Sequence, residues 1–216
     1  MSGAPEKISA RPAATSIGGA DEVVLNQGGV TKRGAAALLK ATVAGLKSFY
    51  VPVRAAYPAQ VAGCAAHAAV AGSAGQPDVW VLSFDKTTKE HAQFAVRMPK
   101  NWDRGVIKAA FTWRHAATTT NFGVRWGLAA VAVSDDDTLA VNFGTAQEVT
   151  DTGGTTNDVY ATGATPDITV AGTPQAEDTV FFDVYRDPAN GADNLDVDAD
   201  LIGIKIYYTT DTTDEA

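Results

Sequence analysis

The sequence is poor in the residues that most often form cross-links or metal sites. It contains one cysteine, Cys64, and three histidines among 216 residues. A single cysteine excludes a disulfide within the chain and a metal site built from several cysteines. In the alanine- and glycine-rich context AGCAAHAAVAG, the expected role of Cys64 is that of a small space-filling side chain. We interpret His67, in the same stretch, as structural.

Long apolar runs are also missing. No stretch approaches the roughly 18 apolar residues that a membrane-spanning helix needs. The opening MSGAPEKISARPAAT lacks the apolar core of a signal peptide. Hydrophobic residues still make up 45% of the chain, which is ordinary for a protein that buries a core. We therefore expect a globular protein without a membrane span.

The net charge of −8 is unevenly distributed. Residues 1–76 contain seven Lys and Arg against three Asp and Glu, a net of +4, whereas residues 77–216 contain ten against twenty-two, a net of −12. An acidic body cannot offer nucleic acid the basic surface that its phosphates require. The charge pattern instead suits an acidic body that is carried by a mildly basic arm.

Two N-terminal regions, residues 1–48 and 49–76, differ in composition from the rest of the chain. Within residues 1–48, the pair Gly28-Gly29 follows the short apolar run Val23–Leu25 and predicts a strand and a tight turn, then a strand or short helix near Ala35–Leu39. The motif GGVTKR lacks the spacing of a phosphate-binding loop. Residues 49–76 are low in complexity, with ten alanines between positions 55 and 74, and are predicted to be a linker or a trimer contact.

Residues 77–210 show the alternation of apolar and polar residues that is typical of half-buried strands. Repeated short segments of this kind, with turn clusters between them and no helical stripe, predict an all-β antiparallel sandwich of jelly-roll-like type. The acidic residues 211–216 form a tail, and PKNWDRG at 99–105 is predicted to be a connection. The predicted strands are 79–84, 90–98, 106–115, 122–133, 146–151, 158–162, 167–172, 178–187 and 199–209.

The stretch FTWRHAATTTNFGVRWGLAAVAVSDDD contains His115 and Asp135–Asp137, residue types that could form a catalytic pair. A 12-residue strand rises about 3.3 Å per residue, so the two ends of the strand between them lie roughly 40 Å apart. Small polar residues between strands and three successive aspartates are also what solvated loops need. We therefore assign no catalytic or cofactor-binding residue, and we expect no enzymatic activity.

Two further groups could bind a ligand. The loop DPANGADNLDVDAD at 187–200 is rich in oxygen ligands of the kind calcium prefers, but it lacks the EF-hand spacing. A solvated loop is the favoured interpretation, no metal ligand is assigned, and the calcium question stays open. The four tryptophans, Trp80, Trp102, Trp113 and Trp126, could stack on sugars, although core filling is the commoner role on strands. Trp102, expected in a loop, is the candidate for exposure.

Three phrases carry a family resemblance: AQFAVRMPKNWDRGVIKAAFTWRHAATTTNFGVRWGLAAVAVSDDD, FGTAQEVTDTGGTTNDVY and VFFDVYRDPANGADNLDVDADLIGIKIYY. They resemble a C-terminal domain of fibre, spike and surface proteins of tailed bacteriophages, over roughly residues 49–209. The segment ADEVVLNQGGVTKRG is similar to the glycine-turn segments at the start of phage fibre proteins.

The resemblance implies a virion structural protein, a jelly-roll-like sandwich and a homotrimer. We expect a surface spike, fibre or capsid decoration protein that is assembled in the host cytoplasm and bound to capsid or tail proteins through residues 1–48. The alternative is a tail-associated receptor-binding protein or a carbohydrate-binding module that recognises a host surface glycan. No cofactor, nucleic acid or membrane span is expected. The resemblance includes no catalytic motif and transfers no functional residue.

Overall fold

The computed structural model describes residues 22–27, 30–35, 45–116 and 122–211. The chain divides into two compact units between Ala44 and Gly45. In the first unit, β1 (Glu22–Gln27) pairs antiparallel with β2 (Val30–Ala35), and Gln27 lies opposite Val30. The predicted strand before the glycine pair is confirmed. The prediction for 35–39 falls almost wholly outside the described residues.

The second unit is an antiparallel β-sandwich, as the alternation predicted. Among the described residues the only helical element is a short 3-10 turn at Val53–Ala55, and no helix there is long and apolar enough to cross a membrane. The five-stranded sheet has the order β10 (Gln147–Gly153), β9 (Phe122–Val133), β12 (Thr179–Arg186), β7 (Glu90–Arg97) and β4 (Tyr57–Pro58). The six-stranded sheet has the order β11 (Tyr160–Ala161), β8 (Trp102–His115), β13 (Ala199–Thr210), β6 (Val79–Phe84) and β5 (Ala68–Val70), and β3 (Leu46–Pro52) also pairs with β13.

The core lies between the inner faces of these two sheets. Trp126 projects inward from β9 and meets Phe84 edge-on, at a ring-centroid distance of 5.1 Å. Phe111 stacks on the same indole at 5.8 Å, and Trp113 lies 6.5 Å from it. Since Phe84, Phe111 and Trp113 belong to the opposite sheet, these contacts join the two layers through fully buried aromatic rings.

Three details of the predicted strands are wrong. The connection 99–105 is partly strand, because β8 begins at Trp102. Segment 167–172 forms only isolated bridges, through Ile168 and Ala171. In the predicted strand 199–209, a strict alternation would place Ile202 on the same face as Ile204, Ile206 and Tyr208, but the register of β13 shifts between Leu201 and Gly203. This irregularity buries Leu201 and leaves Ile202 partly exposed, since an extra residue reverses which face the side chains occupy.

The alanine-rich residues 49–76 contribute to the sandwich. They contain most of β3 and all of β4 and β5, and the buried core includes Val51, Val53, Ala56 and Cys64. The strand β4 is at one edge of the five-stranded sheet, and β5 is at one edge of the six-stranded sheet. The segment therefore links the edge of one sheet to the edge of the other.

Candidate functional site

The structure keeps His115 apart from Asp135–Asp137. His115 ends β8, and its buried ring meets Phe122 edge-on at 4.5 Å and stacks on Tyr160 at 5.5 Å. Phe122 is the first residue of β9, whereas the aspartates follow its last residue, about 40 Å away along the strand. Burial and the neighbouring Arg114 lower the pKa of His115. These residues do not form a catalytic pair.

The acidic loop 187–200 is only partly solvated. Asp196 fits the prediction, because its side chain is 86% exposed and pairs with Lys86 at 2.8 Å. Asp193 contradicts it: its carboxylate is buried and forms a salt bridge with the buried Arg186. No three His, Cys, Asp or Glu side chains within the described ranges are grouped so that they could hold a metal ion.

Two of the tryptophan predictions are wrong. Trp102 is 1% exposed at the start of β8 and cannot offer a ring to a ligand. Trp80, predicted to lie in the core, is 42% exposed, and the guanidinium of Arg54 lies 3.9 Å from its ring centroid. Trp113 and Trp126 are fully buried as predicted. The four indoles therefore do not form a common platform.

Cys64 and His67 are structural. Cys64 is a free, buried thiol in the core, and burial together with Glu90 raises its pKa to about 12. A thiol with such a pKa is not a nucleophile at neutral pH. His67 Nε2 lies 3.0 Å from the carbonyl oxygen of Val53, which is within hydrogen-bond distance.

A network that the sequence did not reveal lies on the outer face of the five-stranded sheet. His91, Tyr185, Gly127 and Glu148 form one row across β7, β12, β9 and β10, since each is paired with the next. A Cβ atom on Gly127 would lie only 2.3 Å from Cζ of Tyr185. The ring of Tyr185 therefore crosses over Gly127, and its hydroxyl donates a hydrogen bond to Glu148 at 2.8 Å. Lys89 Nζ lies over the same ring, 3.9 Å from its centroid.

Side-chain hydrogen bonds fix the other members of this network. His91 Nδ1 lies 2.7 Å from Asp183 Oδ2, and Arg125 Nε donates to Glu148 Oε2 at 2.7 Å. Burial raises the pKa of Asp183, and the hydrogen bond with His91 opposes this only in part. Burial also works against ionised Glu148, but hydrogen bonds from Arg125 and Tyr185 hold its pKa below the ordinary value. Burial and Glu148 raise the pKa of Tyr185, which stays a hydrogen-bond donor.

A cavity of about 600 Å³ lies at the other end of the same face. Arg97 and Thr179, paired across β7 and β12, lie on its sheet side together with Phe181. The segments after β9 and before β12 provide the other walls, including Asp135, Leu139, Glu177 and Asp178. Asp178 is buried and accepts hydrogen bonds from Ser134 Oγ and the backbone N–H of Gln175, at 2.8 and 2.7 Å. The outer face of the sheet thus combines a polar network with a cavity.

No protein-family model and no curated protein matches the chain. Solved structures do resemble it. The CBM36-1 domain of a multidomain xylanase from the hindgut metagenome of Trinervitermes trinervoides is 11% identical, with a TM-score of 0.39, over 74% of this chain and 96% of that one. The family 11 carbohydrate-binding module of a Clostridium thermocellum cellulase, Lic26A-Cel5E, is 12% identical, with a TM-score of 0.36, over 89% and 95%.

A third similar structure is TmCBM27, a carbohydrate-binding module described for specific mannan recognition. It is 12% identical, with a TM-score of 0.35, over 76% of this chain and 98% of that one. At identities and TM-scores this low, the likenesses carry no argument about a ligand or an activity of this chain.

Proposed function

We propose that the protein is a non-catalytic structural protein of a tailed-phage virion, a surface spike, fibre or capsid decoration protein. The observation that supports this most directly is the division of the chain at Ala44. A self-contained sandwich follows an N-terminal unit that includes the hairpin of β1 and β2. This arrangement suits an acidic body that is held on a particle by a separate, more basic attachment unit.

The side chains of the sandwich support a role without catalysis. The buried acids pair with basic side chains or accept backbone hydrogen bonds; Asp193 pairs with Arg186 and Asp183 with His91. The single thiol is buried and protonated. None of these groups combines a free nucleophile with a positioned base, which is what nucleophilic catalysis requires.

The structure sharpens the test of attachment. The sequence placed the arm at residues 1–48, but β3 begins at Leu46 and pairs with β13 through Thr209. The deletion should therefore remove only residues 1–44, so that the sandwich keeps all its strands. We expect the shortened protein to be folded and soluble but absent from purified particles, as measured by quantitative mass spectrometry of the virion. Tyr57→Ala, which keeps residues 1–44, is the control and should be incorporated. Normal copy number of the shortened protein would place the anchor in the sandwich.

We also propose that the copies associate as trimers through residues 55–74. This stretch has no Asp, Glu, Lys or Arg, in a chain of net charge −8. It exposes Val61 at the sandwich edge, and within the part of the chain that the structure describes the short strand β5 pairs on one side only, with β6. Uncharged, open strand edges are surfaces that favour association between chains. Val61→Lys should convert the trimer to a monomer in light scattering, whereas Val159→Lys, at another exposed valine, should not. A monomeric native protein at micromolar concentration would refute the proposal.

A further inference from the structure

One strip of the outer face of the five-stranded sheet runs from Tyr57 along β7 to the cavity beside Arg97, and we call this strip the groove. Tyr57 lies opposite Gln93 at one end, and Arg97 lies beside the cavity at the other. These two positions on β7 are four residues, or about 13 Å, apart. Between them the floor is formed by exposed Ala95 and its neighbour across the strands, Phe181. The floor is therefore apolar, and a small side chain in its middle leaves it open.

Groups that can bind a ligand lie at both ends of this floor. Tyr57 is 47% exposed, and its hydroxyl makes no hydrogen bond with any residue that the structure describes. The exposed guanidinium of Arg97 likewise forms no hydrogen bond or ion pair within the described part of the chain. His91, two residues from Gln93 along β7, is already held by Asp183. Groups held in place before binding cost less ordering entropy when a ligand arrives.

The charges indicate the class of ligand. Three carboxylates, those of Asp135, Glu177 and Asp178, line the cavity together with the single cation Arg97. This excess of negative charge repels an anionic ligand, whereas carboxylates and a guanidinium both form strong hydrogen bonds to neutral hydroxyls. Aromatic rings at Tyr57 and Phe181 offer flat apolar faces of the kind that suit the C–H faces of a sugar ring. A cavity with an apolar floor and a few convergent polar groups is the usual form of a small-molecule site.

We propose that this groove binds a short neutral oligosaccharide, with one sugar ring against Tyr57 and another in the cavity beside Arg97. This is a recognition function beyond the structural role proposed above, and it does not depend on attachment to a particle. A surface protein with such a groove would contact glycans while its N-terminal unit holds it in place.

The test is isothermal titration calorimetry of the full chain with four neutral tetrasaccharides: cellotetraose, maltotetraose, mannotetraose and xylotetraose. Tetragalacturonic acid serves as the anionic probe. We expect at least one neutral probe to bind and the anionic probe not to bind. Tyr57→Ala and Arg97→Ala should each weaken that binding at least about tenfold. Both side chains are exposed, so neither change should impair folding, which circular dichroism will check.

Tyr50→Ala is the matched control. Tyr50 has the same side chain and nearly the same exposure, 49% against 47%, but it belongs to β3 of the other sheet. Its loss should leave the affinity unchanged. The proposal is overturned by absence of neutral-sugar binding up to about 10 mM, by preference for the acidic probe, or by equal effects of the Tyr50 and Tyr57 changes. Because binding is measured on the isolated protein, and incorporation of Tyr57→Ala into particles is measured separately, a failure here is distinct from failure of the structural role.

Discussion

Replacement of Asp193 by alanine should destabilise the sandwich strongly, because it leaves the buried charge of Arg186 without its counterion. All five N–H groups of this guanidinium are used. Nε donates a hydrogen bond to Oδ2 of Asp193 at 2.9 Å, and Nη2 donates one to Oδ1 at 2.8 Å. The remaining hydrogen bonds go to the carbonyl oxygens of Phe84, Leu195 and Val197. Arg186 therefore ties the acidic loop to β6.

The size of the loss follows from burial. The side chains of Arg186 and Asp193 are 0% and 1% exposed, so water cannot replace the missing carboxylate. Breaking a buried pair on one side costs about 3–5 kcal/mol. In a unit of this size, about 2–4 °C of melting temperature is lost per kcal/mol, so Asp193→Ala should melt roughly 6–20 °C lower.

Urea unfolding followed by tryptophan fluorescence provides the assay. All four tryptophans lie between positions 80 and 126, so the signal reports on the sandwich and not on residues 1–44. Asp196→Ala is the matched control in the same loop, because its pair with Lys86 is exposed to solvent. It should leave the urea midpoint unchanged within error.

A double-mutant cycle tests the reasoning further. Arg186→Met combined with Asp193→Ala should cost less than the sum of the two single changes, by about 1–3 kcal/mol, because the two side chains act as one unit. A loss below about 1 kcal/mol for Asp193→Ala, or strict additivity in the cycle, would show that the pair is not a buried anchor.

Three other outcomes are expected. The pKa of His115 is lowered in the folded state, so as the pH falls the unfolded chain binds a proton at this histidine more readily than the folded chain does. The free energy of unfolding should therefore fall as the pH drops below about 6.5. His115→Phe should reduce this pH dependence in urea unfolding measured at pH 5–7. Cys64 should resist a thiol reagent at about pH 8 and react fully in denaturant, since its pKa is raised to about 12; rapid reaction of the folded protein would contradict its burial. Gly127→Ala should cost about 1–3 kcal/mol by colliding with Tyr185, and Gly127→Ala in a Tyr185→Ala background should cost clearly less, as measured by urea midpoints.

The sandwich could be predicted from the sequence because its core depends on alternation within single strands. The segment from Phe122 to Leu128 alternates, and the predicted strand 122–133 is β9 without any change of boundary. Prediction failed where the outcome depended on a distant partner. The face on which Ile202 lies is set by an irregularity in the pairing of β13 with β8. The first residue of β8, Trp102, is set by pairing with Thr210. Such long-range pairing leaves no local periodic signal.

The polar network on the outer face was missed for a related reason. His91, Glu148 and Tyr185 come from three strands that are separated by long stretches of sequence, and only the sheet order places them in one row. A weak signal was present at Gly127, because a glycine inside a strand often marks a close approach by another group. The aspartate cluster at 187–200 misled in the opposite direction, since Asp193 is buried while Asp196 is exposed.

The alternation that builds the core also separates it from the proposed groove. Along β12, Val180, Phe182 and Val184 point into the sandwich, so the core does not constrain an exposed outward position that lies away from the buried Asp183 and Tyr185. The same parity places Ala92 and Phe94 of β7 inside and exposes Ala95 and Arg97 on the outer face. An exposed residue at the groove can therefore change without opening a cavity in the core. For this reason the sandwich can carry a recognition surface at little cost in stability, and ligand affinity and unfolding free energy should respond to different sets of substitutions.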